Sequence, residues 1–208
     1  MIMTAFINGA LLGGALIIAI GAQNLFVLRQ GMAKDQVLIV ALLSSVIDAG
    51  LIITGALGLG SLISAFPIAI TLASISGALF LIIFGSLSLY KAFVPPLTAQ
   101  DPGDAVTSSF KKAVMMTLAF GLLNPHVYLD TVILLGGIAA QYELETRKFF
   151  VLGAVLASFG WFFALGYGAR TISPLMRHPL GARGLDFAVA MMMYFVASGL
   201  IRDLVAAH

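Results

Sequence analysis

Charged side chains fall in bunches along this chain of 208 residues, and long apolar runs separate them. Residues 1–28 carry no charge, 36–90 carry only Asp48, 113–142 carry only Asp130, and 149–169 and 187–201 carry none. A helix rises about 1.5 Å per residue and needs about 20 residues to cross about 30 Å of hydrocarbon. The run 36–90 therefore holds two crossings, turning at Phe66-Pro67, and each other run holds one. The pattern predicts six helices, near 4–27, 38–65, 68–90, 112–139, 149–170 and 186–206. The last apolar run is short and crosses only if flanking residues join its helix.

The connection at 92–111 carries Pro95, Pro96, Asp101, Pro102, Gly103 and Asp104, a turn-rich composition suited to a surface linker. It divides the chain into a first three-helix unit (1–91) and a second (112–208) within one membrane domain. A second polar connection, near 171–185, holds Pro174, Pro179, Gly181 and Gly184. Counted by alternate loops, Arg29, Lys34, Lys91, Lys111, Lys112, Arg170, Arg177 and Arg183 fall on one side, and Arg147, Lys148 and Arg202 on the other. The positive-inside rule puts the larger group in the cytoplasm and both termini outside.

Composition strengthens the membrane reading. Charged residues are 10% of the chain, against about 25% in an ordinary soluble domain, too few to cover a water-facing surface. The basic residues are dispersed, so the net charge of +2 leaves no nucleic-acid footprint. With no Cys and only three scattered His, neither disulfides nor a metal or other cofactor is expected. The first 28 residues lack the basic start of a signal peptide, so the first apolar run reads as a retained crossing. No phosphate-binding loop, HExxH or G-x-S-x-G occurs, which argues against an enzyme.

The two units share a weak repeat. Gly21-Ala-Gln-Asn24-Leu-Phe-Val27 lies over Gly121-Leu-Leu-Asn124-Pro-His-Val127 at an offset of 100, late in the first helix of each unit. Three crossings per unit make the second copy enter the membrane in the opposite sense, the inverted-repeat plan of secondary transporters, whose sites lie where helices break. Pro125 cannot donate to the carbonyl of Gly121, so a break is expected at Asn124-Pro125, with Gly21 marking a softer counterpart. A simple kink is the bland reading of the same proline.

Asp48 and Asp130 carry the strongest local signal. A carboxylate at the centre of a crossing costs roughly 2.5 to 3.5 kcal/mol on insertion scales, so such residues face a wet cavity or a partner. No Lys or Arg falls inside an apolar run to neutralise them, which suits a cationic ligand or protons. Gln23, Asn24 and Asn124 add hydrogen-bonding groups near the breaks, His126 is a candidate proton relay, and Tyr128 a candidate wall of the site. Helix-to-helix bonding is the commoner use of an isolated Asn or Gln, and anchoring or packing that of Tyr128 and Trp161. Gly9-xxx-Gly13 fits close helix packing. A channel for small cations, or a transporter of another small solute, would use the same acids and breaks.

The segments GAQNLFVLRQG at 21–31 and LNPHVYLDT at 123–131 resemble the signature segments of the lysine/arginine exporter (LysE) family, the second being closest to its arginine-exporting branch. Ser158-Phe-Gly-Trp-Phe-Phe163 fits as well, so the resemblance covers nearly the whole chain. It implies a multi-pass protein of the bacterial inner membrane that exports basic amino acids, L-arginine and with it L-lysine. Outward movement of a positive charge opposes the resting potential, so inward protons are the expected driver; a homodimer is a compatible assembly. The resemblance also implies that Asp48 and Asp130 are the paired acids of the site and that Asn24 and Asn124 are its motif asparagines. Ala22 stands where family members commonly have proline, which again implies a softer break in the first unit.

Overall fold

A computed structural model describes residues 1–18, 21–59, 67–94, 109–124, 127–172, 174 and 179–206. Among them every regular element is helical and no strand occurs. The elements are α1 (Ile2–Ile18), α2 (Ala22–Ala33), α3 (Val37–Thr54) with a π-helical turn (Gly55–Leu59), α4 (Pro67–Phe93), α5 (Phe110–Leu122), a π-helical segment (Tyr128–Leu135) leading into α6 (Gly136–Ala140), α7 (Leu144–Gly168) with a 3-10 turn (Ala169–Ile172), and α8 (Pro179–Ala206).

Two of the predicted helices are each two pieces. The run expected as one helix near 4–27 is α1 and α2, whose axes are bent by 80°. The run expected near 112–139 is α5, ending at Leu122, and a second helical stretch beginning at Tyr128. The last helix is longer than its apolar run, because α8 opens at Pro179 and takes in Arg183, Asp186 and Arg202. A proline suits the first position of a helix, where its missing N–H would have had no partner, and Pro67 opens α4 in the same way.

Four helical stretches, Val37–Gly58, Ile75–Phe93, Leu144–Ile172 and Arg183–Arg202, are each long and apolar enough to cross a membrane. The bent pair α1 and α2 makes a fifth if it counts as one crossing, and Asp130–Ala140 is a shorter apolar stretch. The chain is a multi-pass membrane protein, and α3 shows its solvent most clearly. Its exposed side carries Leu38, Leu42, Val46 and Ile53, and its buried side carries Ser44, Ser45 and Asp48. That is the reverse of a helix in water and the arrangement expected when the outer medium is hydrocarbon.

Small residues let the helices close on one another. α1 and α7 run parallel, with Gly9 against Phe150 and Gly13 against Ala154; a Cβ on Gly9 would collide with the Phe150 carbonyl. Gly55 in the π turn of α3 meets Val132 and Gly136, where an added Cβ would lie 2.6 Å from the backbone of either partner segment. Without a hydrophobic force between helices in lipid, such close backbone approach is what dispersion needs. α4 and α8 form the other extensive helix pair.

The basic loops gather at one end of the bundle. There Arg29 of α2 pairs with Asp186 of α8 at 2.8 Å, the rings of Phe93 and Phe187 meet edge to face at 6.3 Å, and Met32 packs with Ala169. At the opposite end Arg147 spans three chain segments, its guanidinium donating to the carbonyl oxygens of Ala56, Ala140 and Tyr142 at 3.1 to 3.3 Å. Ala140 is the last residue of α6, where the carbonyls carry the negative end of the helix dipole and suit a guanidinium.

Candidate functional site

The chain is extended at Gly21 (φ −118°, ψ 175°) where α2 begins, three residues after α1 ends. An interrupted helix inside a bundle leaves carbonyls that must find donors. Asn24 supplies one, its Nδ2 donating to the Ile17 carbonyl at 2.8 Å. The indole Nε1 of Trp161 donates in turn to Asn24 Oδ1 at 3.2 Å, holding the amide from α7. Gly21 and the Asn24 amide thus make this break without proline. In the second unit α5 ends at Leu122, Gly121 lies in its last turn, and Asn124 is outside helix. Pro125 and His126, named as the break and the relay, lie outside the described residues.

Between the two interruptions is a cavity of about 450 Å³, in the range of small-ligand sites. Gly21, Gln23 and Asn24 of the first unit line it beside Asp48, with Asn124, Asp130 and Thr131 of the second unit opposite. The structure thus brings both acids into one chamber, although they lie 82 positions apart in the chain. Asp48 is 4% exposed and accepts a hydrogen bond from Ser158 Oγ of α7 at 3.2 Å. Asp130 sits in the π-helical segment. π-helical windings are rare and tend to mark functional sites, because the widened turn redirects side chains. Gln23 Nε2 is buried and lacks a hydrogen-bond partner, and Gly121 leaves it room: a Cβ there would stand 3.6 Å from that nitrogen.

Tyr128 is not among the lining residues; its hydroxyl donates to the Leu122 carbonyl at 2.8 Å, closing the end of α5. The lining also includes three residues that position alone did not single out. Phe162 of α7 and Phe195 of α8 are apolar walls, and Arg202, near the end of α8, is a cation at the chamber. Arg202 flanks the apolar run of α8 and is exposed, its Nε donating to the Ser198 carbonyl at 3.4 Å.

Phe120 lies one turn before Asn124. Its ring stacks on Phe26 at 5.0 Å and meets Phe80 and Phe84 edge to face at 4.9 and 5.7 Å. Asn124 lines the acidic chamber, and Phe120 lines a second cavity on the side of the basic loops. Phe26 and Phe84 line the second cavity with it.

Comparison with known proteins places these features in context. The profile of the family described as LysE type translocator matches residues 15–204. The chain is 36% identical over 197 residues to the "Arginine exporter protein ArgO" of Pectobacterium atrosepticum, covering 95% of this chain and 96% of the relative. It is 35% identical over 200 residues to the protein of the same description from Klebsiella pneumoniae subsp. pneumoniae, covering 96% and 94%. It is 39% identical over 196 residues to the "Putative amino-acid transporter YggA" of Aeromonas salmonicida, covering 92% of each. No solved structure matches the chain significantly.

Proposed function

The chain belongs to the LysE type translocator family, a family of transporters and not of enzymes, and from that premise we propose that it is a secondary transporter exporting L-arginine, and L-lysine with it, across the bacterial inner membrane. The observation that carries this reading is the meeting of Asp48 and Asp130 in one chamber between two interrupted helices. Their carboxylates receive the guanidinium or ammonium of the substrate side chain, and a planar guanidinium suits two flanking acids best. The N-terminus of α2 at Gly21, which no side chain caps, presents the positive end of a helix dipole to the substrate carboxylate. The C-terminal end of α5, with Asn124 beside it, offers oxygen atoms to the α-ammonium. Gln23 Nε2 is a further donor to the carboxylate.

Moving one positive charge outward against a resting potential costs about 2.3 kcal/mol per 100 mV, so export needs a driver. In this mechanism Asp48 and Asp130 hold either protons or the substrate cation, never both, and inward protons exchange for outward arginine. His126 relays those protons.

Helix pairing supports an inverted repeat of six crossings. Counting α1 with α2, and α5 with the 128–140 stretch, as single crossings, the first crossing packs on the fifth and the fourth on the second. The third packs on the sixth, and the second on the fifth. A two-fold axis in the membrane plane exchanges the first two pairings and maps each of the others onto itself. The gathering of basic loops at one end supports a cytoplasmic placement for that end and an outer placement for both termini.

Efflux of labelled arginine from proteoliposomes under an imposed proton gradient tests the reading. The transporter is expected to saturate, to show counterflow and to accelerate when protons run inward. Currents without exchange would mark a channel and overturn it.

A further inference from the structure

The second cavity, about 280 Å³, is built from α2, α4, α5 and α8 at the end where the basic loops gather. Arg29, Lys91 and Lys112 all line it. Lys91 feels the charges of Arg29, Lys112 and Asp186, so the four groups form one electrostatic cluster. Asp186 is spoken for by its 2.8 Å ion pair with Arg29, and three cations against one acid leave two positive charges uncompensated among these four. Arg29 Nε is itself buried and has no hydrogen-bond partner. Gln30 and Ser88 add two polar groups, and the rest of the wall is apolar, including Phe26, Leu87 and Met116.

Such a pocket fits an anion that carries an apolar portion. Its position narrows the choice. Leu87 lines the cavity and is half exposed on the outer face of α4, where Tyr90 and Phe93 are exposed as well. In a membrane that face meets acyl chains, so the cavity is open to the bilayer. Basic pockets between membrane helices are suited to anionic headgroups, since phosphate oxygens accept from Lys and Arg while the chains stay in hydrocarbon. We propose that Arg29, Lys91 and Lys112 form a binding site for the headgroup of an anionic phospholipid, whose acyl chain leaves past Leu87. The bound lipid bridges α2 and α4 of the first unit to α5 and α8 of the second.

The test uses the whole protein purified in neutral detergent, with phosphatidylglycerol, phosphatidylcholine, inorganic phosphate and arginine added separately. Binding is read by native mass spectrometry and by thermal unfolding. Phosphatidylglycerol is expected to remain as an adduct and to raise the melting temperature, and phosphatidylcholine to do neither. Removing both lysines in Lys91→Gln/Lys112→Gln should weaken phosphatidylglycerol binding about thirty-fold, at roughly a factor of five per cation. Lys91→Arg, which keeps the charge, should retain it, as should Lys34→Gln at an exposed position away from the cavity. If the double variant fails to fold, the single variants Lys91→Gln and Lys112→Gln carry the comparison, each with about a fivefold loss. Equal binding of phosphatidylcholine, or undiminished phosphatidylglycerol binding in the lysine variants, overturns the site. Equal stabilisation by inorganic phosphate or by arginine would assign the cluster to a free anion or to the substrate carboxylate and overturn the lipid.

Discussion

The acidic chamber and the basic cavity are both lined by α2 and α8, yet they are opposite in sign. The chamber lies at the middle of the bundle, where α3 and the π-helical segment each deliver one carboxylate from opposite units, and it has Arg202 at its edge. The cavity lies at the end where the loops are basic and opens on a lipid-facing helix surface. In a medium of low dielectric an excess of one charge is expensive, so each excess points to the sign of what binds there. In the proposed reading depth separates their roles: the buried acids receive a ligand that passes through, and the cations near the helix ends one that stays.

That contrast can be broken most sharply at the acids. Asp130→Asn and Asp48→Asn should each abolish proton-driven arginine efflux from proteoliposomes, a loss of a hundredfold or more, while leaving phosphatidylglycerol binding intact; full efflux in either variant would erase the distinction between the two sites. Next in size is Asp186→Asn, which strips the partner from Arg29. It should lower stability in detergent by about 3 kcal/mol, the low end for breaking a buried pair, and tighten anionic-lipid binding by adding a third uncompensated charge. Phe120→Ala should lower stability by a similar amount, about 3 kcal/mol, and enlarge the basic cavity that its ring lines. The loss is read as a lower melting temperature in detergent. The smallest effect belongs to Ser158→Ala, which removes one hydrogen bond to Asp48 and should change the apparent arginine affinity by about tenfold at most, with no effect on lipid binding.

Much of this was legible in the chain alone, and the reasons are physical. Apolar runs between charges mark crossings because hydrocarbon tolerates little else, and an Asp inside such a run stands out for the same reason. The helix ends were read less well. A break needs only one residue in extended conformation and one side chain to satisfy the freed carbonyl, and Gly21 with Asn24 does this without proline. Ser158 and Trp161 stand in a segment that the resemblance covers, but their hydrogen bonds gave no signal because the partners, Asp48 and Asn24, lie 110 and 137 positions away. Tyr128 sits beside the motif asparagine in sequence, but the turn after α5 sends its hydroxyl to the Leu122 carbonyl. The basic cavity was hidden for a related reason: its three cations sit near the ends of three different helices, and only the packing of α2, α4 and α5 makes them one cluster.

The central claim is that the chamber recognises the positive side chain of its substrate through Asp48 and Asp130. Binding of arginine and of citrulline, which has nearly the same shape without the charge, to the purified protein tests it most directly. Arginine should bind about a hundredfold more tightly than citrulline, and Asp48→Asn or Asp130→Asn should erase most of that preference. Equal affinity for the two ligands, or an unchanged preference in both variants, would contradict it.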